Sequence, residues 1–194
     1  MTDPHLGAGG KPLLDVMRLG QTPYADTYAL QQELLEKRIA GEIPDTLVLT
    51  EHEPVVTVGR GAGPKDVSGV DVETFEIERG GEATYHGPGQ VVAYPIYKLP
   101  DDAHDVHQYM RDLEEVVIRV LDEIDIVGTR RPGLTGVWIG DSKVASIGVA
   151  VRRWVTWHGF ALNVHTDLDA FHKFQPCGLD PNVMTRLADY GQLP

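Results

Sequence analysis

A chain of 194 residues that is 42% hydrophobic and 24% charged is long enough for one domain with a real core, and its single cysteine excludes an internal disulfide. The formal net charge of −12 argues against binding nucleic acid or an anionic membrane by charge, since both need basic surface. Residues 1–11 are polar and glycine-rich with no apolar signal-peptide run, and no stretch approaches a membrane span, so the expectation is a cytoplasmic protein with a flexible lead over 1–11 and a single domain over 12–194.

Residues 13–19 alternate and predict a strand. Thr22 and Pro23 read as N-cap and first position of a helix over 24–40, closed by Gly41, with Asp26 in its first turn and Lys37 and Arg38 in its last. Residues 45–50 read as a buried strand, Glu51-His52-Glu53-Pro54 interrupts it, and 55–58 resume extended structure. The glycines from Gly59 to Gly63 resemble a dinucleotide loop, but no helix starts cleanly through Gly63-Pro64, so that reading is rejected. Residues 72–78 and 91–97 read as strands either side of a long loop, with Pro95 demoting the second to an edge or a bulge. Residues 105–124 are the clearest helix, with Val106, Tyr109, Met110, Leu113, Val117, Val120, Leu121 and Ile124 three or four apart. After a loop over 128–133, residues 137–139 and 143–151 form a hairpin about Gly140-Asp141, and Arg152-Arg153 turn the chain into 154–164. The fold class is α+β, a mixed or antiparallel sheet flanked by helices.

Three features could carry chemistry. The stretch 79–90 holds four glycines, Pro88, Arg79, Tyr85 and His86; it is either a turn between strands or a rigid loop whose N–H groups grip a small group. It is longer than a hairpin needs, and no Gly-Lys-Ser/Thr follows as in a phosphate loop. Alternation sets Lys143 on one face with Ala145, Ile147, Val149 and Val151, opposite Val144, Ser146, Gly148 and Ala150. That lysine is either a strand-end group reaching water or a partly desolvated amine fit to act as a base. Cys177, between Pro176 and Gly178, is either a small buried apolar residue or a loop nucleophile needing a neighbouring cation or base, for which Lys143 or His86 would serve. The eight histidines form no zinc pattern, and no serine-hydrolase elbow is present.

Together these segments resemble the octanoyltransferases of lipoate biosynthesis. The likeness rests on Glu51-His52-Glu53-Pro54-Val55, on Arg79-Gly80-Gly81 with Thr84-Tyr85-His86-Gly87-Pro88-Gly89-Gln90, on Lys143-Val144-Ala145-Ser146-Ile147-Gly148 continuing to His158-Gly159-Phe160-Ala161, and on Pro176-Cys177-Gly178. It runs from about residue 13 to residue 187. The resemblance implies a fold similar to that of lipoate and biotin protein ligases, and transfer of an octanoyl group from octanoyl-acyl carrier protein to a lysine of lipoyl domains, in 2-oxoacid dehydrogenase E2 subunits or the glycine cleavage H protein. It implies a Cys177 acyl-enzyme with Lys143 as its proton partner. The substrate site would comprise Arg79, Gly80, Gly81, Glu82, Ala83, Thr84, Tyr85, His86, Ser146, Ile147, Gly148, Gly159, Phe160 and Ala161, with no metal and no cofactor. Gly148 and Gly159, lacking side chains, would leave room for the acyl chain.

Two points stand in tension with that family. The chain ends at Pro194, so 17 residues follow Cys177 and the expected terminal helix is short or missing. Acyl carrier proteins are acidic, as is this chain, so docking is expected on local basic groups such as Arg130-Arg131 or Arg152-Arg153. The rivals are an ATP-dependent ligase on the same fold, a cysteine hydrolase using His86 or His158, and a non-catalytic module that holds carrier or lipoyl domains.

Overall fold

The computed structural model describes residues 14–63, 71–174 and 178–191. The lead over 1–11 and Cys177 lie outside the described residues. Twelve elements follow in order: β1 (Leu14–Thr22), α1 (Tyr24–Ala40), β2 (Asp45–His52), β3 (Val55–Val58), β4 (Glu73–Glu76), β5 (Ala83–His86), β6 (Gln90–Ile96), α2 (Val106–Asp122), β7 (Thr129–Arg131), β8 (Leu134–Ile139), β9 (Ser142–Arg152) and β10 (Val155–Asn163). Short 3-10 turns also occur among the described residues, including Pro181–Val183 and Leu187–Asp189 in the segment after Gly178.

Seven strands form one sheet in the order β1-β2-β6-β10-β9-β8-β7, in which β1 and β2 run parallel and every other pair antiparallel. A small second sheet has the order β4-β3-β5. Alternation on the large sheet decides which helix covers which face. Val92, Tyr94 and Ile96 of β6, with Val155, Trp157 and Ala161 of β10, pack with Tyr24, Leu34 and Leu35 of α1. On the other face Val137, Ala145 and Leu162 pack with Val117 and Leu121 of α2, and Val149 packs with Leu113. The small sheet turns Val56, Ala83 and Tyr85 onto Phe171, Phe174 and Met184.

Several sequence expectations need correction. Pro23, not Thr22, is the N-cap residue of α1; the Thr22 hydroxyl instead meets those of Thr27 and Thr50, at 2.8 and 2.9 Å. Gly41 closes that helix with left-handed φ of 74°, as the sequence suggests. Asp105 caps α2, its carboxylate accepting from the N–H groups of His107 and Gln108. The long loop over 79–90 contains strand β5, and the loop over 128–133 contains β7.

Pro95 sits inside the sheet between β2 and β10, not on an edge. Its ring lies against Gly159, where a Cβ would come within 2.6 Å of Pro95 Cδ. The β6–β10 ladder ends at Ala93–Phe160 and returns as a single bridge at Lys98–Val155. The missing N–H of proline therefore falls where the strands are already parted. His158 occupies the gap in left-handed conformation, φ 56°, and donates its N–H to Gln31 Oε1 of α1 at 3.0 Å.

Candidate active site

A cavity of about 310 Å³ lies between the two sheets. Its floor is β9, β10 and β6, through Ser146, Gly148, Gly159, Ala161, Val92 and Tyr94. Its roof is the stretch from Ile77 to His86, and Tyr24 of α1 stands at one end. Of the residues the sequence singles out, Lys143, Arg79, Gly81, Glu82, Thr84, His86, Ser146, Ile147, Gly148, Gly159, Phe160 and Ala161 line this one cavity. Ala83 and Tyr85 do not, because alternation along β5 sends them to the opposite face, onto Phe171. Gly80 also lies outside it; its N–H donates to the Val149 carbonyl at 3.0 Å.

Lys143 reaches the cavity through an irregularity that alternation cannot foresee. Strand β9 carries an extra residue, since Val137 pairs with Ala145 while its neighbour Trp138 pairs with Lys143. This bulge at Val144 reverses the facing of everything before it. Lys143 therefore shares a face with Ser146 and Gly148, not with Ala145, Ile147 and Val149 as the sequence suggests. Its side chain is 3% exposed, with Nζ 6.0 Å from the centroid of the Trp138 ring. Gly136 makes room for it, as a Cβ there would come within 2.6 Å of Lys143 Cε. The Gly136 N–H is held in turn by Glu114 Oε1 of α2 at 2.9 Å, and Arg111 and Arg130 balance the charge of that fully buried carboxylate.

The roof is fixed on both sides. The N–H groups of Gly59, Arg60 and Gly61 donate to the carbonyls of Glu82, Arg79 and Gly81. The glycines rejected as a nucleotide loop are thus close-packed partners of the Arg79 segment. Arg79, 7% exposed, donates to the Thr57 carbonyl at 2.8 Å, the Thr57 hydroxyl at 3.1 Å and the Gly80 carbonyl at 3.1 Å. Its side chain crosses Gly148, where a Cβ would stand 2.9 Å from Arg79 Cδ. A Cβ at Gly159 would overlap the Ala93 carbonyl. The two glycines therefore admit Arg79 and the β6 backbone, and both also line the cavity floor.

A buried hydrogen-bonded chain runs from this roof to Lys143. The Thr57 hydroxyl faces His86 Nε2 at 3.3 Å, and His86 Nδ1 meets Gln90 Oε1 at 2.7 Å. Gln90 Nε2 donates to Asn163 Oδ1 at 2.9 Å, Asn163 Nδ2 to the Thr185 carbonyl at 2.9 Å, and the Thr185 N–H to the Lys143 carbonyl at 2.9 Å. Burial, then the neighbouring His52, pushes the His86 imidazole down to about 3, so it is neutral at pH 7. His158 is pushed down to about 3 by burial and then by Arg79, and His52 to about 4 by burial. The Glu51-His52-Glu53 motif acts structurally: Glu51 Oε2 accepts the Gly89 N–H, and His52 Nε2 meets Tyr94 Oη at 2.7 Å.

The segment after Cys177 borders the same cavity. Leu179 lines it, and Gly178, φ 66°, abuts the Glu82 carboxylate where a Cβ would collide. Sequence reasoning missed Tyr24, Ile77, Val92 and Tyr94 at the inner end, since apolar or aromatic residues inside helices and strands read as ordinary core. The basic pairs expected to dock a carrier are largely engaged: Arg130 with Glu114 and Glu115, Arg131 with Asp141, and Arg152 with Glu36. His104 stacks on Trp154 at 4.0 Å.

Residues 23–194, which carry this sheet and cavity, match the family of the lipoyl protein ligase A/B catalytic domain. The chain is 51% identical over 184 residues to an octanoyltransferase of Rubrobacter xylanophilus, covering 90% of this chain and 82% of that protein. It is 50% identical over 163 residues to an octanoyltransferase of Gloeobacter violaceus, covering 82% and 73%. The fold is similar to a crystal structure of lipoate-protein ligase A bound with ATP, with TM-score 0.73 and 16% identity over 93% of this chain and 78% of that one. The chain belongs to this family and, within it, groups with the octanoyltransferases. Among the described residues no helix is long and apolar enough to cross a membrane.

Proposed function

We propose that the chain moves an octanoyl group from octanoyl-acyl carrier protein to one lysine of a lipoyl domain, in a 2-oxoacid dehydrogenase E2 subunit or the glycine cleavage H protein, through a Cys177 acyl-enzyme. The unit responsible is a single domain over residues 12–194, with 1–11 as its lead, working in the cytoplasm, where a lone thiol stays reduced. The observation that carries this reading is a nearly buried Lys143 lining one cavity with Arg79, Glu82 and Leu179, the last only two residues beyond the sole cysteine.

In the first half-reaction the Lys143 ammonium stabilises the Cys177 thiolate, which attacks the thioester carbonyl. A bond forms from Sγ to the acyl carbon, the carrier's C–S bond breaks, and the departing thiolate takes a proton from Lys143. In the second, the neutral amine of the acceptor lysine attacks the acyl-enzyme and gives a proton to Lys143. The amide C–N bond forms, the bond to Sγ breaks, and the thiolate–ammonium pair returns. The donor thioester is already activated, so the balance closes without a nucleotide. His86 is not the base: its two ring nitrogens are taken by Gln90 and Thr57, which counts against a hydrolase using it.

Intact mass after incubation with octanoyl-acyl carrier protein, without ATP, tests the reading. An octanoyl adduct is expected on the wild-type chain and absent from Cys177→Ala, and it should move to an added lipoyl domain. An acceptor octanoylated equally by Cys177→Ala would overturn it.

A further inference from the structure

The cavity has an open end and a closed one. Beside Lys143, Leu134 at the rim is 36% exposed, whereas Tyr24, Ile77, Val92, Tyr94 and His158 at the far end are all 7% exposed or less. A closed end among aromatic and apolar side chains would ordinarily be dry and greasy. This one is polar. Tyr24 Oη and both ring nitrogens of His158 have no hydrogen-bond partner among the described residues, and neither does Gln31 Nε2, whose own Oε1 holds the His158 N–H. Buried donors and acceptors are rarely left so, because each unpaired group costs folding free energy.

The backbone is also bent to bring His158 there. Its neighbours by alternation, Phe160 and Leu162, pack on the α2 side. The left-handed φ of 56° at His158 instead stacks its ring on Trp157 at 4.2 Å, near Tyr28 of α1. A non-glycine residue held in that conformation, opposite a proline that parts the ladder, is a point of local strain beside the cavity. The cavity floor crosses β9, β10 and β6, two strand spacings or about 10 Å, close to the reach of an eight-carbon chain.

We infer that the closed end is a polar seat for water, formed by Tyr24 and His158, which stops a straight saturated acyl chain at about eight carbons. This rests on the acyl-transfer reading and adds its length rule. Water held at these unpaired donors and acceptors gives them partners of the kind a buried water needs. Further methylenes would expel that water and strand the groups behind it. A chain of the same length with a hydroxyl at its tip would instead supply the partner itself.

The experiment compares octanoyl-, decanoyl- and 8-hydroxyoctanoyl-carrier protein as donors to a lipoyl domain, using the full chain. The wild-type protein is expected to favour octanoyl over decanoyl by about tenfold in kcat/KM and to use the hydroxylated donor nearly as well as octanoyl. Tyr24→Phe, which removes one oxygen and no volume, is expected to narrow the first ratio and widen the second, each by about threefold or more. Ratios identical in the two proteins would overturn the seat. Absence of any transfer by the wild type would instead strike at the proposed function. The seat is then read from calorimetric dissociation constants of octanoate, decanoate and 8-hydroxyoctanoate: the same pattern of ratios supports it, and unchanged ratios, or no binding, overturn it.

Discussion

Lys143 and the buried histidines are where single side chains decide behaviour. Replacing Lys143 by Met keeps the bulk of a side chain wedged between Gly136 and Trp138 while removing the proposed proton carrier. Acyl transfer is expected to fall by about 10²- to 10⁴-fold in kcat, with the thermal midpoint unchanged or raised; a variant keeping a tenth of the wild-type rate would remove the lysine from the chemistry. His52, His86 and His158 are each held well below the ordinary 6.5. The folded protein therefore binds fewer protons than the unfolded chain once pH drops under about 6.5. Their stabilisation is complete above that value and is lost as pH falls towards 4, at up to about 1.4 kcal/mol per pH unit for each. Urea unfolding between pH 7 and 5 checks this, and a flat profile would contradict it. At this scale the sequence displayed the reactive residue types but not their facing. Lys143 alternates with Ala145 and Ile147 on paper, yet one extra backbone residue turns it to the opposite side, and a bulge leaves no mark on hydrophobic period.

Between elements, close approach dominates. Gly159→Ala would drive a methyl group into the Ala93 carbonyl and force β6 from β10 in the middle of the sheet. A loss of about 3 kcal/mol or more is expected. Gly140→Ala, in the hairpin turn where nothing lies within 4 Å, should cost only the left-handed strain of φ 56°, about 1–2 kcal/mol. Denaturant melts of the two variants give the comparison, and equal losses would show that the sheet yields more easily than its geometry suggests. The two α-helices and the β8–β9–β10 meander were legible, because 3.6- and 2-residue periods and the Gly140-Asp141 and Arg152-Arg153 turns mark them. Strands β5 and β7 were not, lying among the glycine, arginine and proline that signal loops. Pro95 misled because the rule confining proline to edges assumes an unbroken ladder on both sides.

Over the whole molecule, charge and connectivity set the terms. With a net charge of −12, approach of an acidic carrier is opposed at long range and must rely on local contacts. Raising ionic strength from about 0.01 to 0.15 M should therefore raise kcat/KM for the carrier substrate, since screening weakens the repulsion first. A steep fall would mean that a basic patch governs the encounter. Arg130, Arg131 and Arg152 already hold carboxylates of this chain, so charge reversal there should change folding stability together with carrier KM. The hydrogen-bonded path from Thr57 through His86, Gln90 and Asn163 to Thr185 joins both sheets to the segment leaving the cysteine. Sequence spacing showed which motifs existed but not that one polar thread ties them together.

The extra residue in β9 makes activity depend on counting. Inserting one residue between Val137 and Trp138, opposite Val144, would keep every reactive group in the protein and leave the hairpin free to close, yet restore plain alternation and swing the amine into the layer beneath α2. An enzyme can thus be silenced by the length of a strand alone, and a survey of its chemically important side chains would find nothing missing.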